Sequence, residues 1–242
     1  MNFRPFFIVL SYSVILICGF KDCSQKNIYF FGDSITAGYQ IANPYTRLVA
    51  ENLGMRIIKN SPPYAFEGTT MMHQYPYNIL NKDGHSMEFW SREPNMSKFN
   101  AGRDGLIFVA YLTNDVGLNL PNYSAKNFSI AVENVINGLL RAGWPKDRIK
   151  FNIRYFITNK GLDYSNTIET VKTPATLDRY NEFAQILKSK LDRNGIQYFD
   201  FWDELSAQKN PVSHLDNKQR HIDQASHCIV AKHILDQIQF KK

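Results

Sequence analysis

Short apolar runs alternate with longer stretches of helical character along most of the chain. Five of these runs have the length of β-strands, and they cover residues 27–31, 56–59, 105–112, 149–157 and 197–201. The residues at 106–112 are apolar at both odd and even positions, which is typical of a strand covered on both faces of a sheet. The pattern therefore predicts a sheet whose central strands are buried.

The intervening stretches predict four helices, over residues 44–53, 124–141, 174–194 and 223–239. Asn43 is the predicted N-cap of the first helix, with Pro44 at its first helical position. Thr173 is the predicted N-cap of the third helix, which ends at Gly195. The predicted apolar face of the last helix includes Cys228.

Alternation of strands and helices indicates βαβ units, and therefore a parallel sheet with helices on both faces. We expect a single α/β domain over residues 24–242, built as a three-layer α/β/α sandwich around a five-stranded parallel sheet. No internal repeat or linker divides it. Residues 71–103 contain many aromatic side chains and fit none of these elements. They are expected either to be functional or to contain an element that the pattern does not reveal.

The first 23 residues are predicted to be an export signal rather than part of the domain. A single charge at Arg4 precedes an apolar stretch over residues 6–17, which is shorter than a membrane span. A lipoprotein signal is the alternative, with a lipid anchor on Cys18 or Cys23, although neither cysteine follows a small residue. Both interpretations predict an exported protein that is periplasmic, secreted or at the cell surface.

Composition indicates what the protein is not expected to bind. The 242 residues include 28 Lys plus Arg and 22 Asp plus Glu, a formal net charge of +6. The basic residues are scattered rather than grouped in runs, so a nucleic-acid partner is not expected. Cys228 is the only cysteine after residue 23, which excludes a disulfide framework. His227 and His233 face different ways on the last predicted helix, so no metal site is expected there.

The first candidate catalytic residue follows the first strand, where Gly32, Asp33 and Ser34 begin the sequence Gly-Asp-Ser-Ile-Thr. Ligands bind at the carboxyl ends of strands in a doubly wound sheet, so Ser34 is expected to face the substrate crevice. Asp33 is expected to hold the turn by accepting backbone N–H groups. A nucleophilic serine also needs a base and hydrogen-bond donors for the oxyanion. His221, just before the last helix, is predicted to lie at the same edge of the sheet as that base.

Two further short motifs follow the next strands, Glu-Gly-Thr-Thr at residues 67–70 and Leu-Thr-Asn-Asp at residues 112–115. Together with Gly-Asp-Ser-Ile-Thr and His221 they resemble the first, second, third and fifth motifs of the SGNH or GDSL family of serine esterases, in the same order along nearly the whole chain. The resemblance implies that Ser34 is the nucleophile and that His221 is the base. It also implies an oxyanion hole made by the backbone N–H groups of Ser34 and Gly68 and by the side chain of Asn114. The implied fold is the flavodoxin-like sandwich of that family, with neither a metal nor an organic cofactor. The oligomeric state is left open.

Two positions depart from the family pattern. Leu112 stands where the third motif usually begins with glycine, which can alter the turn before Asn114. Lys218 stands where the family usually has an aspartate three residues before the histidine. Asp216, five residues before His221, is the nearest substitute. The site is therefore expected to be either a Ser-His-Asp triad with Asp216 or a Ser-His dyad.

The resemblance implies an exported serine esterase that works through an acyl-enzyme. For the substrate, a carbohydrate O-deacetylase and a lipid acyl hydrolase of the lysophospholipase or thioesterase type are the main alternatives. The aromatic residues at 71–103 would suit a sugar surface. Lys218 also leaves open a non-catalytic glycan-binding protein that keeps the fold. The expected ligand in all but the lipid case is a small-molecule or carbohydrate ester.

Overall fold

Five parallel strands form the centre of the molecule. The computed structural model describes residues 26–58, 65, 70–72, 105–119, 123–165 and 171–238. The strands are β1 (Asn27–Gly32), β2 (Arg56–Ile57), β3 (Leu106–Ala110), β4 (Ile149–Asn152) and β5 (Gln197–Phe199). The helices are α1 (Ser34–Ala37), α2 (Tyr45–Asn52), α3 (Thr113–Gly117), α4 (Ala125–Arg141), α5 (Asn159–Leu162), α6 (Leu177–Asn194), α7 (Trp202–Ser206) and α8 (Gln224–Gln237).

The order of the strands places the point where the winding reverses at β1. Neighbouring strands are all parallel, and the order across the sheet is β2-β1-β3-β4-β5. The chain passes from β1 to β2 on one side and then crosses to β3 on the other side of β1. Ligands bind at the carboxyl ends of the strands where the winding reverses in this way. The predicted five-stranded parallel sheet and three-layer sandwich are confirmed.

Helices cover both faces of the sheet, and each face has its own hydrophobic core. Alternate side chains of β1 enter different cores: Phe31 packs in the core that contains α4 and α6, and Phe30 in the core that contains α2 and α8. Val109 and Phe108 of β3 divide in the same way. Burial on both faces explains why these strands are apolar at every position.

The strands β2 to β5 are shorter than predicted. β4 ends at Asn152, although the apolar run continues to residue 157. Ile153 and Tyr155 remain buried after the chain has left the strand. Just beyond β4, the Ile153 N–H donates to the Phe199 carbonyl oxygen and the Phe201 N–H donates to the Arg154 carbonyl oxygen. The apolar run is therefore longer than the strand because burial continues after the regular pairing ends.

Two predicted helix starts are wrong by one to three residues. Pro44, not Asn43, is the N-cap of α2. The N-cap of α6 is Thr176, whose side chain accepts the Arg179 N–H, and Thr173 lies outside that helix. Either threonine has the side-chain oxygen that a cap requires, so local sequence cannot choose between them.

The prediction that Cys228 lies on the buried face of α8 is wrong, because Cys228 is exposed. The buried residues of this helix are Ser226, His227, Val230, Ala231 and Ile234. His227 is buried because its Nδ1 accepts the backbone N–H of Tyr45 in α2 at 3.1 Å. A polar side chain can therefore take a buried place on this helix because it has a hydrogen-bond partner there.

Some predicted features lie outside the described residues. These are the leader at residues 1–23 with Cys18 and Cys23, the second oxyanion donor Gly68, and all of the 71–103 segment except Met71 and Met72. Among the described helices, none is both long and apolar enough to cross a membrane.

Candidate active site

The turn from β1 into α1 places Ser34. Asp33 is the N-cap of α1, and its carboxylate accepts the Ile35 N–H at 3.0 Å, as predicted for this residue. Gly32 is needed because a Cβ at this position would lie 2.2 Å from Thr36 Oγ1. The two residues together hold Ser34 at the carboxyl edge of the sheet, where it is 6% exposed.

His221 and Asp216 lie in line with Ser34. Ser34 Oγ is 2.8 Å from His221 Nε2, and His221 Nδ1 is 2.7 Å from Asp216 Oδ2. The structure therefore brings these three predicted residues into hydrogen-bonding contact, although 187 positions separate Ser34 from His221. The side chains of His221 and Asp216 are 12% and 28% exposed, so the imidazole is more shielded from solvent than the carboxylate behind it.

A short hairpin explains how an aspartate five residues before the histidine reaches it. Leu215 and Ile222 form an antiparallel bridge. The next residues inward, Asp216 and His221, are joined by a backbone hydrogen bond in which the Asp216 N–H donates at 2.9 Å. Their side chains therefore meet across the hairpin. Lys218, which occupies the position where the family usually has aspartate, is exposed in the connecting turn.

Two hydrogen bonds keep Asp216 ionised. Burial works to raise the pKa of the Asp216 carboxyl, but hydrogen bonds from the Arg220 N–H and from His221 outweigh burial and lower that pKa. The ionised carboxylate accepts a hydrogen bond from His221 Nδ1–H, which holds the proton on Nδ1 and leaves a lone pair on Nε2 facing Ser34. This arrangement can take the hydroxyl proton of Ser34 as the oxygen attacks a carbonyl group.

Asn114 lies in α3, close after the end of β3, and is buried. Asn114 and Ser34 lie at the same edge of the sheet. Gly32 of β1 is paired with Ala110 of β3, and Ser34 and Asn114 follow these two strand ends. The hydroxyl of Tyr164 donates a hydrogen bond to Asn114 Oδ1 at 2.6 Å. Tyr164 was not identified from the sequence, where it stands in no recognised motif.

The turn between β3 and α3 is strained at Leu112. This residue has φ 149° and ψ −47°, a backbone conformation that favours glycine. Such strain costs about 1–3 kcal/mol and persists when the surrounding structure enforces it. The Leu112 side chain is buried in one of the two cores, which supplies that constraint. Leucine at the usual glycine position therefore strains the turn that leads to Asn114.

Asp115 anchors the segment that follows Gly68 in the chain. Its two carboxylate oxygens accept the N–H groups of Met71 and Met72 at 2.8 and 3.0 Å. Burial raises the pKa of Asp115 to about 7, and it raises the pKa of Asp33 to about 7 as well. Both buried carboxyls hold backbone N–H groups beside the site, which is a structural role.

Two further features near His221 were not predicted. The ring of Tyr39 lies 5.1 Å from the imidazole of His221, centroid to centroid, and Tyr39 is 41% exposed. On the same hairpin, His214 Nδ1 is 2.8 Å from Asp223 Oδ2. The sequence feature that could have identified Tyr39 as a residue near the site is its position five residues after Ser34. Among the residues that the structure describes, no group of three His, Cys, Asp or Glu side chains could hold a metal ion.

Three comparisons with known proteins place the chain. The family model of the GDSL-like lipase/acylhydrolase family matches residues 30–227. Comparison with curated proteins gives no match. Solved structures with the same fold include a lipase/acylhydrolase from Enterococcus faecalis, with 15% identity and a TM-score of 0.60 over 88% of this chain and 95% of that one.

Two other solved structures are named as esterases. A carbohydrate acetylesterase from Sinorhizobium meliloti has 14% identity and a TM-score of 0.63, over 88% of this chain and 98% of that one. An acetyl xylan esterase has 15% identity and a TM-score of 0.57, over 88% of this chain and 100% of that one. At identities of 14–15%, the likeness to these solved structures shows only the fold. Membership of the family is shown by the family model, which matches residues 30–227. The chain belongs to the GDSL-like lipase/acylhydrolase family and is an ester-hydrolysing enzyme of that family.

Proposed function

We propose that the protein is an exported serine esterase that removes acetyl groups from carbohydrates through an acyl-enzyme. The observation that carries the proposal is the continuous hydrogen-bonded line from Ser34 Oγ through His221 to Asp216. This line lies at the switch point of a doubly wound sheet, where such folds bind their ligands.

The proposed reaction has two steps. Ser34 Oγ attacks the ester carbonyl while His221 Nε2 takes its proton; the bond to the sugar oxygen then breaks, and His221 returns the proton to the leaving alcohol. In the second step a water molecule gives a proton to His221 and attacks the acyl carbonyl; the bond to Ser34 Oγ then breaks, and His221 returns the proton to Ser34 Oγ as acetic acid is released. Asp216 stabilises the imidazolium that forms in each step.

The oxyanion of each tetrahedral intermediate needs hydrogen-bond donors. We assign this role to the backbone N–H groups of Ser34 and Gly68 and to Nδ2 of Asn114. The pairing of β1 with β3 supports the assignment for Ser34 and Asn114, because it brings the two strand ends side by side. The assignment of Gly68 comes from its sequence motif, since Gly68 lies outside the residues that the structure describes.

Two observations favour a carbohydrate ester over a lipid ester. A carbohydrate acetylesterase and an acetyl xylan esterase are among the proteins with this fold. Tyr39 also presents an exposed aromatic ring beside His221, and flat aromatic rings suit the apolar faces of sugars. A lipid acyl hydrolase is the second candidate, since the Enterococcus faecalis structure is named a lipase/acylhydrolase.

Export is proposed from the sequence of residues 1–23, in which Arg4 precedes an apolar stretch and two cysteines follow. Expression of the full chain followed by cell fractionation tests it. Recovery of the protein in the cytoplasm at full mass would contradict export. A lipid-sized mass increase that disappears on substitution of Cys18 or Cys23 would identify the anchored form.

Hydrolysis of aryl esters from acetyl to long acyl chains tests the reaction and the acyl preference together. We expect turnover that is greatest for acetyl, and release of acetate from acetylated xylan. Ser34→Ala and His221→Ala should each lower kcat by about 10⁴-fold or more, and the double variant should be little worse, because the two residues act as a unit. Ser213→Ala, which changes an exposed serine, is the matched control.

Each outcome has a separate meaning. A preference for long acyl chains would favour the lipid acyl hydrolase. Turnover that survives in Ser34→Ala would reject Ser34 as the nucleophile.

A further inference from the structure

Tyr164 is a buried tyrosine that links two parts of the candidate active site. Its hydroxyl donates a hydrogen bond to Asn114 Oδ1 at 2.6 Å. The guanidinium carbon of Arg220 lies 3.7 Å from the centroid of the Tyr164 ring. The backbone N–H of Arg220 in turn donates to Asp216 Oδ1 at 2.8 Å. A continuous chain of contacts therefore runs from Asn114 to Asp216, the partner of His221.

The ring of Tyr164 has little freedom to move. A Cβ on Gly117 would lie 2.8 Å from Tyr164 Cζ, so α3 approaches the ring as closely as a glycine permits. Arg220 is itself held by two carbonyl oxygens, because its Nε donates to Gly161 at 3.0 Å and its Nη2 to Asp163 at 3.3 Å. Packing therefore sets the position of the Tyr164 hydroxyl before any substrate binds.

An asparagine side chain can assist ester hydrolysis in only one of its two amide orientations. Its NH2 group can donate to a developing oxyanion, whereas its carbonyl oxygen would repel that charge. A donor placed on Oδ1 selects the useful orientation, and the Tyr164 hydroxyl is such a donor for Asn114. Burial raises the pKa of Tyr164 well above its ordinary value, so the hydroxyl keeps the proton that it donates.

We propose that Tyr164 is a positioning residue that holds the Asn114 amide with its NH2 group directed to the oxyanion. The proposal rests on the proposed function, because it requires ester hydrolysis with the oxyanion bound at Asn114. Tyr164 acts through Asn114 and does not touch the substrate. Its effect on rate must therefore disappear when Asn114 is absent, which a purely structural role does not predict.

Tyr164→Phe tests this, because it removes the hydroxyl and keeps the ring beside Arg220. We expect kcat for an aryl acetate to fall about 10- to 100-fold, less than for loss of a whole oxyanion donor, with KM nearly unchanged. In an Asn114→Ala background the same change should alter kcat less than about twofold. Tyr155→Phe is the matched control, since its buried hydroxyl bonds Tyr45 at 3.2 Å, and it should lower stability while kcat stays at the wild-type value.

An equal fall in kcat in both backgrounds overturns the proposal, and so does a Tyr164→Phe variant with wild-type kcat. The proposed function is tested separately by reaction of the wild type with diisopropyl fluorophosphate, which phosphorylates activated serines. If Ser34 neither reacts nor hydrolyses esters, the proposed function fails and the role of Tyr164 falls with it. If Ser34 reacts but hydrolyses no ester, its phosphorylation rate replaces kcat in the same double-mutant cycle.

Discussion

Replacing Asp216 by asparagine should preserve the hairpin and change which nitrogen of His221 carries the proton. The asparagine Oδ1 can still accept the Arg220 N–H, which Asp216 accepts at 2.8 Å. Its Nδ2 would then face His221 Nδ1, which is 2.7 Å from the wild-type carboxylate. Because Nδ2 is a donor, Nδ1 must accept and the proton moves to Nε2. His221 can then no longer accept the proton of Ser34.

The expected fall in kcat is about 10⁴-fold, the usual effect of placing a triad histidine in the wrong tautomer. This corresponds to about 5 kcal/mol of transition-state stabilisation. The fold should lose much less. The Asp216 side chain is 28% exposed, so one weakened hydrogen bond there costs about 1 kcal/mol of unfolding free energy. In a protein of this size that lowers Tm by about 2–4 °C.

The assay is kcat and KM for an aryl acetate near neutral pH, with urea unfolding of the same preparations. His214→Gln is the matched control, because His214 pairs with Asp223 at 2.8 Å on the same hairpin. It removes a similar His–Asp contact in which neither Ser34 nor His221 takes part, and it should leave kcat within about twofold of the wild type. An Asp216→Asn variant that keeps kcat within about tenfold of the wild type would refute the reasoning and favour a Ser-His dyad.

Three predictions concern stability. Gly32→Ala should lower the unfolding free energy by about 3 kcal/mol, the upper end of overpacking costs, because its Cβ would lie 2.2 Å from Thr36 Oγ1 and 2.7 Å from the Ala110 carbonyl oxygen. Gly54→Ala meets no atom within 4 Å and should cost less, about 1–2 kcal/mol for its positive φ alone, so equal urea midpoints would contradict this. Burial lowers the pKa of His227 to about 4, so its contribution to stability is full above about pH 6.5 and is lost as the pH falls to about 4. The unfolding free energy of His227→Asn should therefore fall less than that of the wild type between about pH 6.5 and pH 4. An equal fall in both proteins would count against this role of His227. Burial raises the pKa of Asp115 to about 7, so its contribution is full below about pH 4 and is lost as the pH rises to about 7. The unfolding free energy of Asp115→Asn, measured in urea, should fall less than that of the wild type between about pH 4 and pH 7. An equal fall in both proteins would refute the assignment.

The layered fold could be predicted because parallel strands covered on both faces appear in the sequence as runs of consecutive apolar residues. β1 sends Phe30 and Phe31 into different cores, so its residues are apolar in succession. The same reasoning located Ser34, since residues that follow such strands lie at one edge of the sheet. Boundaries were less predictable. The apolar run beyond Asn152 and the buried His227 depend on contacts that periodicity does not record.

The partner of His221 is the clearest case in which tertiary structure decided the question. Counting residues favoured position 218, where the chain has lysine, and left a dyad open. The antiparallel bridge between Leu215 and Ile222 brings Asp216 opposite His221 and leaves Lys218 in the turn. An aspartate five residues before the histidine can therefore reach the imidazole as well as one three residues before it, because the chain between the two residues forms a hairpin.

The sequence by itself determined the sheet, the helices around it, the family and the presence of Ser34 and His221 at one edge. These features depend on periodicity and on short motifs, which neighbouring residues carry. The tertiary structure alone decided the pairing of Asp216 with His221 and the contact of Tyr164 with Asn114. It also decided that Leu112 would take a backbone conformation suited to glycine. Each of these depends on how separate segments pack against one another, and packing between distant residues leaves no local pattern in the chain.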